Sequence, residues 1–235
     1  MGKKYKAASE KIDSEELHDA RKAVELVKDN AFAKFDETID AVFLLGIDPK
    51  QADQAVRGTV SLPHGTGKDV RVVAIAEGDK AKDAEAAGAA LVGGKELIKE
   101  LEGGRALDFD VVVATPDMMS EVGKLGRVLG PRGLMPNPKS GTVTQDIGKA
   151  VSEFKAGRVE YRNDRFGNVQ VPIGKASFDA EKLERNLVAI TDEVIRAKPA
   201  AAKGRYLLKL VLSSTMGPGV KIDPAAADAL AKEAH

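Results

Sequence analysis

The chain has 235 residues, and its 36 basic and 36 acidic side chains give a formal net charge of zero at pH 7. Hydrophobic residues make up 43% and aromatic residues 4%, while cysteine is absent, which excludes disulfides, thiolate nucleophiles and cysteine-containing zinc sites. No apolar run approaches the roughly 20 residues of a membrane span. The basic N-terminus also lacks the apolar run of a signal peptide. We therefore expect a cytoplasmic protein whose cores are built from aliphatic side chains.

The first stretch of the sequence predicts one helix and two strands. Asp13, with Glu16 three residues later, fits a capping box for a helix that follows a basic N-terminal tail. The apolar residues of this helix recur at helical spacing: Leu17, Ala20, Val24 and Val27. The apolar run 39–45 and the segment 58–63 are each closed by turn residues and predict two strands.

The middle stretch alternates regularly between strands and helices. The pattern of strand, helix, strand, helix, strand and helix predicts a small α/β domain with a parallel sheet. The predicted strands are 70–76, 89–92 and 109–114, and the predicted helices are 80–87, 95–101 and one that opens at Pro116.

The last stretch predicts a hairpin, two helices and a strand. Segments 158–162 and 168–172 flank the turn 163–167 and are typical of a hairpin. Asp179 is placed to cap a helix whose apolar face would carry Leu183, Leu187, Ile190 and Val194. A strand over 205–212 and an Ala-rich helix starting at Asp223 follow. Each outer stretch is small for an independent core.

Positive charge is segregated in two windows that contain no acidic residue, 122–145 and 194–222. Such segregation in a charge-balanced chain is typical of a surface that meets a phosphate backbone. The second window contains Ser213, Ser214, Thr215, Met216, Gly217, Pro218 and Gly219. Hydroxyls offer donors to phosphate and sugar oxygens, and glycines allow close backbone approach, although the same residues also suit an ordinary strand-end turn. The surrounding basic residues favour recognition of RNA by shape: Lys203, Arg205, Lys209 and Lys221.

Motifs for catalysis are weak in this sequence. Gly65-Thr66-Gly67-Lys68 is followed by Asp69 where a phosphate-loop ATPase needs Ser or Thr, so a glycine-rich turn is favoured. Asp117 is more typical of a helix first turn than of a catalytic carboxylate. His18, His64 and His235 lack metal-ligand partners at helical spacing and are interpreted as structural or solvated. We expect no enzymatic activity, no metal and no cofactor.

Four strings of residues carry a resemblance to a known family. They are FDET at 35–38, RGTVSLPHG at 57–65, LGRVLGPRGLMPNPK at 125–139 and SSTMGP at 213–218. Together they resemble the bacterial large-subunit ribosomal protein L-one family and span nearly the whole chain in order. The resemblance implies two hinged domains. Residues 1–66 and 158–235 would form a discontinuous α+β domain with an antiparallel sheet, and residues 67–157 an inserted, Rossmann-like α/β domain.

The resemblance also implies partners. A protein of this family is expected to bind large-subunit ribosomal RNA at the mobile exit-site stalk and to aid release of deacylated tRNA. It is also expected to repress translation of its own operon messenger, and to act as a monomer within the ribosome. The RNA-binding residues implied by position, together with those indicated by charge, are Lys34, Phe35, Glu37, Thr38, Arg165, Lys209, Ser213, Ser214, Thr215, Met216 and Gly217. A secondary surface would use Lys124, Arg127, Arg132 and Lys139.

The chain departs from the family pattern at three places. Leu44 stands where a basic residue is expected, Ala55 where Asn is expected, and Lys209 where Ser is expected. Lys209 can still reach a phosphate, so we expect affinity to be kept with a stronger salt dependence. Two other functions remain open from the residues: a nucleotide-binding α/β enzyme centred on the middle stretch, and a regulatory RNA-binding protein that acts outside the ribosome.

Overall fold

The computed structural model describes residues 2–13, 15–104 and 107–233. The chain divides into two compact units, one formed by Met1–Gly67 with Val159–His235 and the other by Lys68–Arg158. We call them the outer unit and the inserted unit. His235, which the sequence suggests is solvated, lies outside the described residues.

The helices and strands are numbered in chain order. The strands are β1 Thr38–Leu45, β2 Arg57–Ser61, β3 Val72–Ile75, β4 Leu91–Gly93, β5 Val111–Ala114, β6 Arg158–Arg162, β7 Asn168–Lys175, β8 Leu207–Ser214 and β9 Gly219–Ile222. The helices are α1 Lys3–Ser9, α2 Ala20–Asp29, α3 Asp79–Ala86, α4 Lys95–Glu102, α5 Met119–Val122, α6 Gly126–Leu129, α7 Ile147–Lys155, α8 Ala180–Arg196 and α9 Pro224–Glu233.

The outer unit is built on a four-stranded sheet in the order β7-β1-β8-β9, and its strand pairs are antiparallel. Side chains alternate along β1, so that every second residue is buried: Ile39, Ala41, Phe43 and Leu45. These residues share a core with the apolar faces of α2 and α8. The expected antiparallel sheet is therefore confirmed.

The inserted unit contains a three-stranded parallel sheet in the order β4-β3-β5. All four residues of β3 are buried, because they alternate between two apolar clusters. Helices α4 and α5 contribute to one cluster, and α3 and α7 contribute to the other. A strand covered on both faces reads as a continuous apolar run, which is why the sequence predicted this parallel sheet correctly.

The first helix cap was predicted at the wrong aspartate. The N-cap of α2 is Asp19, whose Oδ1 accepts a hydrogen bond from the Lys22 N–H at 2.7 Å. The segment before it is held extended, because the His18 N–H donates to the Lys221 carbonyl and His18 bridges Ile222 of β9. Leu17 is consequently 55% exposed rather than on a helix face. The expected basic tail also forms helix α1.

The predicted hairpin was also wrong. Strand β6 pairs with β2 in a separate two-stranded sheet, and β7 pairs with β1. The link between β6 and β7 is a single bridge between Asn163 and Val169. Asn163 explains the difference, because its Oδ1 accepts from the Val56 N–H and its own N–H donates to the Val56 carbonyl, which joins β6 to the chain before β2.

Strand β8 has the predicted length of eight residues, but it begins and ends two residues later than predicted, and it has an unpredicted partner. It continues to Ser214, and the additional residues pair with β1 as Asp40 with Ser213 and Ile39 with Ser214. Strand β9 then pairs with the other edge of β8. Ser213 and Ser214 therefore belong to the sheet, and the turn contains Thr215, Met216 and Gly217.

The two candidate caps give a direct test of the α2 boundary. Asp19→Ala is expected to lower the free energy of unfolding by about 1 kcal/mol, because it removes a side-chain acceptor from the first turn of α2. Urea unfolding followed by circular dichroism would measure the change. Asp13→Ala is the matched control, because Asp13 is exposed and its side chain accepts from the Glu15 N–H outside any helix. An equal loss of unfolding free energy in both variants would contradict the assignment of Asp19 as the N-cap of α2.

Candidate nucleic-acid interface

The face of the four-stranded sheet opposite to α2 and α8 is the outer face. Its β1 side chains are Thr38, Asp40, Val42 and Leu44, each of which keeps part of its surface exposed. On β8, register places Ser213 beside Asp40, Val211 beside Val42 and Lys209 beside Leu44. The outer face is therefore a mixed polar and apolar surface with lysine at one end.

Two loops meet at the end of this sheet where β1 begins and β8 ends. Residues 33–37 precede β1, and residues 215–217 follow β8; we call them the loop pair. Glu37 joins the two loops and is only 1% exposed. Its Oε1 accepts from the Ala33 N–H at 2.7 Å, and its Oε2 accepts from the Met216 N–H at 2.8 Å.

The charge on Glu37 is stabilised by these backbone donors. Burial acts to raise the pKa of the Glu37 carboxyl, but the N–H groups of Ala33 and Met216 outweigh it and hold the pKa below its ordinary value of 4.5. A carboxylate that accepts several backbone hydrogen bonds is favoured in its ionised form. Glu37 is thus a buried anion that fixes both loops.

Thr215 fixes the same loops through the backbone of Thr38. Its hydroxyl oxygen accepts from the Thr38 N–H at 3.0 Å and donates to the Thr38 carbonyl at 3.3 Å. The Lys175 ammonium donates to the Thr38 hydroxyl at 2.8 Å. Asp36 accepts from both the N–H and the hydroxyl of Ser177. The loop pair is therefore held by its own Asp36 and Thr215 side chains, together with contacts from Lys175 at the end of β7 and Ser177 after it.

The apolar side chains of the loop pair stay in solvent. Phe35 is 57% exposed and Met216 is 51% exposed, although each lies beside a fixed backbone. Lys34 is exposed next to Phe35, and within the described part of the chain it has no ion-pair partner. At Gly217 a Cβ would lie too close to the Ser214 hydroxyl oxygen, so a larger residue there would require the Ser214 side chain to move. Preorganised apolar side chains beside a free cation suit contact with ribose and base edges.

The structure brings together six of the residues predicted for RNA binding: Lys34, Phe35, Thr38, Thr215, Met216 and Gly217. Glu37 and Ser214 are buried and do not face a ligand, and Glu37 positions the loops. Arg165 and Lys209 lie at the other end of the sheet, where β7 and β8 begin. Leu44, whose direction the sequence left open, lies on the outer face.

The sequence did not indicate the supporting residues Asp40, Lys175 and Ser177. Asp40 lies on the outer face between Pro172 and Ser213. Burial raises the pKa of the Asp40 carboxyl, and the nearby Lys175 charge opposes that rise. Alternation along β1 could have shown the direction of Asp40. The contacts of Lys175 and Ser177 depend on strand register, which the sequence did not specify.

The predicted secondary surface lies in the inserted unit and consists of short helical turns. Arg127 and Lys139 are exposed, while Lys124 pairs with Glu121 at 2.5 Å and Arg132 donates weakly to the Leu107 carbonyl at 3.4 Å. The loop around Pro136 is held by the buried Thr142 hydroxyl, which accepts a hydrogen bond from the Asn137 N–H at 2.8 Å. Of these four cations, Lys139 is the one next to that hydrogen-bonded loop.

An α+β unit with an open sheet face and exposed basic and aromatic side chains is typical of RNA-binding proteins. A model of the Ribosomal protein L1p/L10e family matches residues 27–218. The chain is 60% identical over 225 residues to the large ribosomal subunit protein uL1 of Cutibacterium acnes, which covers 96% of this chain and 97% of that protein. The chain therefore belongs to the Ribosomal protein L1p/L10e family, which confirms the resemblance read from the sequence.

Among the described residues, no helix is both long enough and apolar enough to span a membrane.

Replacing the buried anion gives a test with a defined pH dependence. Glu37→Gln is expected to lower the free energy of unfolding at pH 7 by about 1–3 kcal/mol, because an amide cannot accept both backbone hydrogen bonds. The folded pKa is lowered, so the contribution of Glu37 is complete above 4.5 and is lost as pH falls through the folded pKa.

Urea titrations of both proteins between pH 7 and pH 3 would measure this difference. The difference in free energy of unfolding between the wild type and Glu37→Gln should be constant near neutral pH and should become smaller in acid. A gap that widens as pH falls would contradict the assigned role of Glu37.

Proposed function

We propose that this chain is a structural constituent of the large ribosomal subunit and binds large-subunit ribosomal RNA through the loop pair and outer face. The observation that carries the proposal is the buried Glu37 carboxylate, which fixes the loops so that Phe35 and Met216 stay exposed beside Lys34. The name of the Cutibacterium acnes relative, a large ribosomal subunit protein, supports the same assignment.

The mechanism is recognition by shape. A folded RNA presents a wide, shallow minor groove lined by 2′-hydroxyls, and the outer face with its loop pair can lie against it. Phe35 and Met216 would contact sugars and base edges, while the exposed lysines would neutralise phosphates. Rigid loops lower the ordering cost of binding, because their backbone groups are already fixed in the free protein.

We propose further that the RNA is the mobile exit-site stalk and that the chain aids release of deacylated tRNA there. We propose that the same surface binds the messenger of its own operon and represses its translation. The family resemblance supports both points. The chain would act as a monomer within the ribosome without catalysing a reaction, and residues 67–157 would form a hinged domain with a secondary contact through Lys124, Arg127, Arg132 and Lys139.

Shortening the exposed thioether side chain tests the loop pair. Met216→Ala is expected to weaken binding to a stalk fragment of large-subunit rRNA by roughly 1–3 kcal/mol, because the apolar contact with RNA is lost while the Met216 N–H still bonds to Glu37. Filter binding would measure the dissociation constant. Val188→Ala is the control, since Val188 is partly exposed on α8, on the side of the sheet away from the outer face. Equal affinities of wild type and Met216→Ala would refute this site.

Lys209 tests the electrostatic part of the proposal. In Lys209→Ser the slope of log K against log salt concentration should become shallower by about 0.7–0.9, because one phosphate contact is removed. Lys182→Ser is the control, since Lys182 is exposed on α8 on the other side of the sheet and pairs with Asp179 at 3.1 Å. The same slope in Lys209→Ser and wild type would exclude a phosphate contact by Lys209.

A further inference from the structure

An aromatic side chain projects into solvent at the end of the sheet remote from the loop pair. Phe166 occupies the turn between β6 and β7 and is 79% exposed, more than any other large hydrophobic side chain that the structure describes. It contributes almost nothing to the core of the outer unit. A ring held so far into water suggests a binding function when the backbone beneath it is also fixed.

The backbone of this turn is fixed by Asp164. Its Oδ1 accepts from the N–H groups of Phe166 at 2.7 Å and Asn168 at 2.8 Å, and its Oδ2 accepts from the Asn168 side-chain amide at 3.0 Å. Gly167 adopts a left-handed φ of 81°, and its carbonyl accepts from the Leu45 N–H at 2.9 Å. The turn is thus attached to β1 and presents Phe166 in a defined position.

The charges around Phe166 favour an anionic partner. Arg165 and Lys209 are both exposed, and neither has an ion-pair partner among the described residues. Register places Lys209 at this end, because Leu44 pairs with Lys209 on one side and Asn168 on the other. The carboxylate of Asp164 is occupied by its hydrogen bonds. Burial opposes its ionisation, but those bonds hold the pKa of Asp164 below its ordinary value.

We propose that Phe166 stacks on an unpaired nucleobase of the bound RNA, while Arg165 and Lys209 contact the phosphates beside it. This inference rests on the proposed rRNA-binding function and adds a second contact to it. Strand β1 has eight residues, so its length separates the loop pair from the Phe166 turn by roughly 25 Å. An exposed aromatic ring with unpaired cations at the same end of a sheet suits the binding of an unstacked base and its phosphates.

A tryptophan at this position provides a direct reporter, because the chain contains no other tryptophan. In Phe166→Trp, addition of the rRNA stalk fragment should quench the indole fluorescence, and the affinity should equal or exceed that of wild type. Arg185→Trp is the control, since Arg185 is exposed on α8, on the side of the sheet away from the outer face. Its fluorescence should not respond to the fragment.

Two further variants separate stacking from charge. Phe166→Ala should weaken binding about tenfold with an unchanged slope of log K against log salt concentration, because the ring is uncharged. Arg165→Ala should make that slope shallower by about 0.7–0.9. Unchanged urea unfolding of Phe166→Ala would show that the fold is retained.

The outcomes separate this inference from the proposed function. Unaltered affinity of Phe166→Ala, with Met216→Ala still weakened, would overturn the Phe166 contact and leave the rRNA function standing. Absence of binding by the wild type would overturn both. Normal affinity of Phe166→Ala for the fragment, combined with its release from large subunits at lower salt, would assign Phe166 to a protein contact and overturn the stacking proposal.

Discussion

The pairing of β1 with β7 and β8 is the constraint on which the outer unit depends. Strand β1 lies near the start of the chain, and its two neighbours begin at Asn168 and Leu207, so the sheet forms only when distant segments meet. Closing so long a loop has an entropic cost that grows slowly with length, so the insertion between these segments is tolerated. The buried face of the sheet supplies the compensating apolar contacts, and the loop pair exists because the ends of β1 and β8 become neighbours.

Glu37 then decides how the loop pair is held. A buried carboxylate is costly unless its oxygens are hydrogen-bonded, and Glu37 meets that condition with backbone donors from both loops. A neutral side chain of the same size would leave one donor unsatisfied. The buried charge therefore specifies one loop arrangement, and the Thr215 hydroxyl reinforces it on the backbone of Thr38. This explains how Phe35 and Met216 can be exposed without the loops closing over them.

The sequence predicted the positions of strands and helices better than it predicted which strands pair with each other. The buried strands β1, β3 and β5 were recognisable because apolar runs closed by turns report burial. The face of α8 was likewise correct, since Leu183, Leu187, Ile190 and Val194 are all buried. The pairing of β6 with β2 could not be read from adjacency, because it depends on Asn163 bonding to the chain before β2. Glu37 was predicted to contact RNA, but it is buried and fixes the two loops instead. The sequence could not show this, because the Met216 donor lies far from Glu37 in the chain.

The departures at Leu44 and Lys209 are linked by register. The two residues are cross-strand neighbours on the outer face, so the positive charge absent from β1 is present on the adjacent strand. Neighbouring strands lie about 4.8 Å apart, which is less than the reach of a lysine side chain. The positive charge that would face the proposed RNA is therefore on β8 instead of β1, and it is not lost. Leu44 becomes an apolar surface between Lys209 and Asn168, next to the turn that presents Phe166. Because Leu44 adjoins the exposed Phe166 ring, we expect RNA binding at this end of the sheet to depend more on stacking and less on charge.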